Sequence, residues 1–450
     1  MIKTKFIHET EGIIKVYGDI PEGEFDISTD SRTYAPGTIF LAFKGPTFDG
    51  FDYVEVPLNF GCKLVVFEQT PKSMKLVVGL HESYPDVCFI AVYSSLLFLQ
   101  NLARQRIAEW KERGGVVVGV TGSNGKTTTK NMLFHIFSNV VEGKVHSTIG
   151  NFNNHIGVPL TILGLRDEHK YLIVEIGSSN FGEIEFLSKI VMPDFGIISN
   201  IGKAHLEFFH DEEGVLKEKR ALFDYVVRHS RFDSPFVVNL EDTFLRKVIS
   251  DNNGKKIITF DGEFAKKWEK INPYVENKYN IMNLVGCILL AKSVLNVEEK
   301  KLLEAATTFK FSGNRSNWVQ VDECEVFLDA YNANPSSMSV AIEGFVAKCK
   351  KHDPALENTL LIIGDMNELG GRTEQYHNEI GHKLSELFVK NVFFVGRYAA
   401  FYQAGFGPGV IFKTTKDLVA ERDKILKKYK YVFLKGSRTL QLESLIAKTI

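Results

Sequence analysis

Val116-Val117-Val118-Gly119-Val120-Thr121-Gly122-Ser123-Asn124-Gly125-Lys126-Thr127-Thr128-Thr129 is an apolar run that passes directly into a glycine-bracketed loop. A helix-forming pattern follows, to about Val140. An unbroken apolar run of this length suits a strand buried on both faces of a parallel sheet. The glycines let backbone N–H groups turn toward phosphate oxygens, and the helix N-terminus adds the positive end of its dipole. In such a loop Lys126 neutralises the β- and γ-phosphates and the Thr127 hydroxyl ligates Mg²⁺. Gly122, Ser123, Asn124, Gly125 and Thr128 complete the phosphate cradle. A full Walker pattern places glycine at position 120, where this chain has Val120, so the loop is a shortened Gly-x-x-Gly-Lys-Thr form. The bland alternative is an ordinary strand–helix turn with an exposed lysine.

Outward from this loop, strand-like runs alternate with helical segments. Downstream come Leu172-Ile173-Val174, Ile197-Ile198 and Phe236-Val237-Val238. A further set follows at Val326-Phe327-Leu328, Leu360 to Ile363, Val392 to Val395 and Tyr431 to Leu434. Upstream are Ile39 to Phe43, Leu64 to Phe67 and Phe89 to Val92. Alternation of this kind predicts an α/β fold with parallel sheets. The charged stretch Glu109 to Gly115 reads as a helix end and linker. Three domains are expected: residues 1–112, an N-terminal α/β domain; 113–315, a central P-loop ATPase-like domain with a mostly parallel sheet; and 316–450, a C-terminal Rossmann-like domain. No Gly-x-Gly-x-x-Gly follows any of these strands, so a dinucleotide site is not supported.

The composition narrows the function classes. In 450 residues, apolar side chains make up 44% and charged ones 24%, which is ordinary globular usage. Lys+Arg is 54 against Asp+Glu 55, a net charge of -1. Such a chain has no basic footprint for nucleic acid or a membrane surface. Cys62, Cys88, Cys287, Cys324 and Cys349 are scattered and odd in number, which reads as reduced thiols in a cytoplasmic protein. The N-terminus is charged where a signal peptide is apolar. The longest apolar stretch, Ile281 to Leu295, is broken by Asn283, Gly286 and Lys292, too short and polar to span a membrane.

Ligands of open α/β sheets gather at the carboxyl ends of strands. Glu175 ends the run Leu172-Ile173-Val174, where a Mg²⁺-binding carboxylate is expected. His205 follows the run ending at Asn200 and falls on the same ridge. Each could equally be a surface or structurally paired side chain.

Taken together, the motifs resemble the Mur ligases, ATP-dependent amide-bond enzymes of peptidoglycan precursor synthesis. The resemblance covers nearly the whole chain. It rests on Asp30-Ser31-Arg32, Phe40 to Gly45, the phosphate loop, Gly150-Asn151-Phe152-Asn153-Asn154-His155-Ile156-Gly157-Val158-Pro159, Glu175 and His205. It continues through Asp329 to Pro335, Gly364 to Gly370 and Lys435-Gly436-Ser437-Arg438. The phosphate loop marks the superfamily, while the Asn-Asn-x-x-Gly-x-Pro string from Asn153 to Pro159, Tyr331-Asn332-Ala333-Asn334-Pro335 and Gly364-Asp365-Met366-Asn367-Glu368-Leu369-Gly370 resemble much more specifically the branch that adds the dipeptide D-alanyl-D-alanine.

The resemblance implies ATP and two Mg²⁺ ions, with Glu175 and His205 as metal ligands beside Thr127. It places a carbamylated lysine at Lys219, in Lys217-Glu218-Lys219-Arg220-Ala221-Leu222-Phe223. It puts Asn154 near phosphates and metal, Asn283 near adenine, Arg315 (in Ser312-Gly313-Asn314-Arg315) on ATP phosphates and Asp329 on the ribose. Lys126, Lys219, His205 and Arg315 are the implied catalytic set. Ser31, Arg32, Lys44 and Gly45 would hold the uridine nucleotide, and Asn332, Asn334, Ser336 and Lys435 would face the incoming amine. A cytoplasmic monomer is expected, with hinges near 110–115 and 315–320. Phe51 and Tyr279 stand where the family often has His. Competing readings are another superfamily member, such as the enzyme adding the third amino acid or a folate polyglutamate ligase, and a P-loop ATPase that turns over ATP without an acceptor.

Overall fold

Val117, Val118 and Val120 are fully buried, as a strand covered on both faces requires. Their strand lies inside the middle of three six-stranded sheets. The structure, a computed structural model, describes residues 1–249, 254–311 and 313–447. Ser312 of the quoted stretch ending at Arg315 lies outside the described residues.

The first sheet holds β1 (Ile2–Lys3), β2 (Ile13–Tyr17), β3 (Glu24–Ser28), β4 (Thr38–Ala42), β5 (Leu64–Glu68) and β6 (Cys88–Val92), in the order β1-β3-β4-β5-β6-β2. Its two outer strands pair antiparallel and the rest parallel.

The central sheet holds β7 (Val116–Thr121), β8 (Val145–Ser147), β9 (Tyr171–Glu175), β10 (Phe195–Ile198), β11 (Phe236–Asn239) and β12 (Ile257–Phe260). Its order is β12-β11-β10-β7-β9-β8, and every pairing is parallel. The chain leaves β7 toward β8 and β9 and later returns on the other side as β10. The strand order therefore reverses at β7, which is where open α/β sheets form their ligand crevice.

The third sheet holds β13 (Asn317–Val321), β14 (Cys324–Asp329), β15 (Thr359–Gly364), β16 (Asn391–Val395), β17 (Val410–Phe412) and β18 (Tyr431–Lys435). It is ordered β13-β14-β18-β15-β16-β17. Only β13 pairs antiparallel, with β14. This is the α/β architecture in three parts that the alternation predicts.

The three sheets share a continuous apolar core running from Ile2 and Phe6 through Leu172 and Phe223 to Phe433. The helix Ser95–Glu112 ties the first part to the second. Gln100 donates to the His155 carbonyl at 3.1 Å, Arg106 to that of Leu165 at 3.1 Å, and the Trp110 indole to that of His169 at 2.9 Å. Gly115 lets the chain pass the indole, because a Cβ there would lie 2.3 Å from the Trp110 ring. The apolar stretch from Ile281 forms most of the helix Lys278–Leu295, which packs inside the second core. No helix among the described residues is long and apolar enough to cross a membrane.

Candidate active site

The loop between β7 and the helix Lys126–Val140 is held by the neighbouring strand end at β10. Asn124 N–H donates to Asn200 Oδ1 at 3.1 Å, while Ser199 Oγ and Asn200 Nδ2 donate to the Asn124 carbonyl at 2.5 and 2.9 Å. Ser123 Oγ donates to the Gly202 carbonyl at 3.0 Å. Gly122 has φ +144°, and a Cβ on it would fall 2.0 Å from Ser199 Oγ. Gly125 has φ +74° and lies against Asn283 Nδ2, 2.9 Å from where its Cβ would stand. Both positions demand glycine on conformation and on space. The helix beyond opens without a side-chain cap, so its first N–H groups remain available to an anion.

Lys126 folds back onto the loop, donating to the Gly122 and Ser123 carbonyls at 2.7 and 3.2 Å. Burial pushes its ammonium below the usual lysine range, against the pull of Glu175. Thr127 Oγ1 donates to Glu175 Oε2 at 2.7 Å, and both residues are buried. Register explains the meeting: Val120 of β7 pairs with Glu175 of β9, so the loop and the carboxylate leave adjacent strands at the same level. A hydroxyl and a carboxylate are hard oxygen donors, and Mg²⁺ is usually held by one or two such groups plus phosphates and waters. The pair therefore fits Mg²⁺. No cluster of three His, Cys, Asp or Glu side chains able to hold a metal occurs among the described residues, so the nucleotide would have to complete the shell.

Asn153, which the sequence reading did not single out, donates to Glu175 Oε1 at 2.7 Å. The adjacent Asn154 Oδ1 accepts from the Ile156 and Gly157 N–H groups at 3.1 and 2.9 Å, at the start of the helix Gly157–Leu163. In two adjacent asparagines the chain direction decides which one faces the sheet, and sequence does not show it.

Lys219 is fully buried in the helix Glu212–His229 and donates to Ser178 Oγ at 2.6 Å. Burial, with the Lys126 charge adding to it, brings its amine down to about 7. His205 has a left-handed backbone, φ 51°, and its Nδ1 stands 2.6 Å from Glu368 Oε2.

The C-terminal part closes over the same crevice. Asn334 Nδ2 donates to Asn124 Oδ1 at 2.7 Å, and Lys203 N–H to Ser336 Oγ at 3.0 Å. Asn334 also caps the helix Pro335–Cys349 in a reciprocal pair with Ser337. Asp329 and Lys435 are register partners on β14 and β18. Lys435 Nζ lies 2.5 Å from Asp329 Oδ2 and 3.0 Å from the Asn332 carbonyl. The Arg315 guanidinium stacks over the Tyr331 ring at 3.6 Å.

One cavity of about 1670 Å³ joins these groups. Ser123, Asn124, Gly125, Lys126, Thr127, Thr128, Glu175, His205, Asn283, Arg315, Asp329, Asn332, Asn334, Ser336 and Lys435 all line it. Gly122, Asn154 and Lys219 do not line it, though Ser178, which accepts from Lys219, does. Ser31, Arg32, Lys44 and Gly45 stand apart, on the first sheet. There Arg32 pairs with Asp30 at 2.6 Å, and the Gly45 N–H donates to the Phe48 carbonyl at 2.7 Å. The functional neighbours missed from sequence are Asn153, Ser199, Asn200 and Glu368. Ser199 and Asn200 directly follow the end of β10, so the strand-end rule that singles out Glu175 marks their positions though not their partners, while Asn153 and Glu368 carry no such local signal.

Residues 120–301 match the Mur ligase middle domain, and residues 314–438 match the Mur ligase glutamate ligase domain. The UDP-N-acetylmuramoyl-tripeptide–D-alanyl-D-alanine ligase of Bacillus subtilis is 29% identical over 449 residues, covering 94% of this chain and 93% of the relative. The enzyme of the same name from Haemophilus influenzae is 29% identical over 466 residues, covering 96% and 95%. Among solved structures, MurF from Acinetobacter baumannii superposes with a TM-score of 0.82 at 26% identity, covering 99% of this chain and 98% of that one.

Proposed function

The chain belongs to the Mur ligase family, and we infer that it joins D-alanyl-D-alanine to UDP-N-acetylmuramoyl-tripeptide at the expense of ATP. It is an ATP-dependent ligase of peptidoglycan precursor synthesis, like the relatives it matches along nearly its whole length. The observation that carries the reading is the Thr127–Glu175 pair beside Lys126, at the reversal point of the central sheet and facing Asn334 of the third.

The substrate carboxylate attacks the γ-phosphorus, forming an acyl phosphate and releasing ADP. The dipeptide amine then attacks the acyl carbon, and the tetrahedral intermediate expels phosphate. The first step brings two anions together. Lys126 and Arg315 offset that repulsion and stabilise the charge of the transferring group. Mg²⁺, when held by Thr127 and Glu175, supplies further charge neutralisation at the phosphates. We assign His205 and Lys219 to a second ion, with Lys219 carbamylated. A neutral buried amine near pH 7 is the form that captures CO₂, and the resulting carbamate is an added oxygen ligand. No side chain is needed as nucleophile; catalysis is positioning and electrostatics.

An acyl phosphate must be kept from water. The three-part division near residues 112 and 315 serves that need, with the uridine nucleotide on the first part around Ser31, Arg32, Lys44 and Gly45, ATP on the second and the dipeptide on the third. Asn283, Asp329 and Arg315 would border the nucleotide, and Asn332, Asn334, Ser336 and Lys435 the amine. A cytoplasmic monomer suits the five buried, unpaired cysteines. The experiment is phosphate release from Mg·ATP with UDP-N-acetylmuramoyl-tripeptide, with and without D-alanyl-D-alanine. Release that requires the dipeptide, with a pentapeptide product mass, is expected. Release without either acceptor would instead favour a simple ATPase.

A further inference from the structure

Lys130 lies one turn beyond Lys126 in the helix Lys126–Val140. At about 100° per residue it projects between the directions of Lys126 and Thr127, one turn lower. Helical side chains lean toward the N-terminus of their helix. The Lys130 stem is thus carried upward, toward the space between Lys126 and Thr127. The residue is only 5% exposed. Yet it makes no hydrogen bond, ion pair or ring contact among the described residues, and a lysine so buried is rarely left unpaired. It feels Glu175 and Arg315 electrostatically, both of which line the cavity.

Glu175 makes no hydrogen bond or ion pair with Lys130. Its two oxygens already accept from Thr127 and Asn153 at 2.7 Å each. Of the three cations Lys126, Lys130 and Arg315, the two lysines feel the repulsion of Arg315 and the attraction of Glu175. Lys126 is engaged with loop carbonyls and Arg315 is stacked on Tyr331. Lys130 alone of the three has nothing to hold. Lys130 does not itself line the cavity, though Glu175 and Arg315, whose charges it feels, do; an anion in the crevice is the partner that would complete it, and the excess positive charge suits a polyphosphate.

We propose that Lys130 is a second phosphate-binding lysine, whose ammonium contacts the γ-phosphate of ATP and follows the phosphoryl group as it passes to the substrate carboxylate. This rests on the ATP-dependent reading above. It adds a residue of this chain to that site, below the loop rather than within it.

The test uses Lys130→Met, Lys130→Gln and Lys130→Arg in the full-length protein, with calorimetric binding of AMP and of ATP and steady-state kinetics. Lys130→Met is expected to bind AMP as the parent does and ATP at least about tenfold more weakly. Its kcat is expected to fall roughly a hundredfold, with the KM of the UDP-linked substrate unchanged. Lys130→Arg should restore part of the loss. The ligand-free Tm of Lys130→Met should equal or exceed the parent's, since an unpaired buried charge is removed, while the Tm rise on adding ATP should shrink. Lys130→Gln gives the same readouts if the Met variant does not fold. ATP affinity and kcat within twofold of the parent would overturn the proposal, as would equal losses for AMP and ATP. Lys126→Met separates the two levels: if it too binds ATP normally, the ATP-site reading fails, and if only the Lys130 variants do, this inference alone fails.

Discussion

His205 Nδ1 stands 2.6 Å from Glu368 Oε2, a contact that joins the central part of the chain to the C-terminal part. Both backbones are left-handed, at φ 51° and 61°, a conformation non-glycine residues adopt at a cost and one found at functional sites. The Glu207 N–H donates to the Glu368 carbonyl at 3.1 Å, which fixes the two loops together. Metal-binding histidines usually give one ring nitrogen to a carboxylate, and this orients the other toward the ion. If His205 binds a metal, Glu368→Ala should raise the Mg²⁺ concentration for half-maximal activity by about 10- to 100-fold. A Mg²⁺ titration at saturating substrates measures it; an unchanged midpoint would remove Glu368 from the metal site.

The Asn334–Asn124 hydrogen bond links the C-terminal part, proposed above to hold the dipeptide, to the phosphate loop. Asn334→Ala removes it, and also removes the cap of the helix Pro335–Cys349, worth about 1 kcal/mol. Asn334→Asp keeps the cap but replaces the amide donor to Asn124 with a carboxylate. Both variants are therefore expected to raise the KM for D-alanyl-D-alanine, while only the alanine variant lowers Tm. Thermal melts beside kinetics separate the cap from the contact. A wild-type KM in Asn334→Asp would show that the link to Asn124 is not used.

These contacts mark where sequence reading stops. The buried strands β4, β5, β6, β7, β9, β10, β11, β14, β15, β16 and β18 were legible because strands covered on both faces must be continuously apolar. β2 was not, since Ile13–Tyr17 is an edge strand with three exposed residues. β8 and β17, of three residues each, are too short to carry a pattern. In the site, Lys126, Thr127 and Glu175 were legible because loop and strand end are local features. Asn153, Asn200 and Glu368 act through partners 22, 76 and 163 residues away, and no local spacing encodes such a meeting.

His377 is fully buried and neutral. Its Nδ1–H donates to the Thr373 carbonyl at 2.7 Å, and its Nε2 accepts from the Met366 N–H at 3.1 Å. Burial lowers its pKa from 6.5 to about 4. As pH falls, the unfolded chain takes the proton first, so the stabilisation is complete above about pH 6.5 and is lost toward pH 4. The span corresponds to about 3 kcal/mol. His377→Phe should be less stable at pH 7, having lost the Met366 acceptor, but should lose less stability than the parent between pH 6.5 and 4. Urea midpoints at the two ends measure this. Parallel acid limbs would mean that His377 does not titrate with unfolding.

Lys219 carries the most specific chemical expectation. Its amine, fully buried against Ser178 Oγ, has a pKa of about 7, so near neutrality a large fraction is uncharged and able to add CO₂. A carbamate there would exchange that marginal cation for an anion and would relieve the Lys219–Lys126 repulsion. Carbamate occupancy should rise as pH increases through about 7 and fall below it, because protonation removes the nucleophilic amine. With ¹³C-bicarbonate, a carbamate carbon resonance is expected in the parent and absent in Lys219→Ala. That variant should lose activity by at least about a hundredfold and recover part of it with formate or acetate, which can fill the vacated space with a carboxylate. Below pH 7, added bicarbonate should restore activity to the parent but not to the variant. Full activity of Lys219→Ala without any added carboxylate would show that the buried amine only packs the helix Glu212–His229 against Ser178.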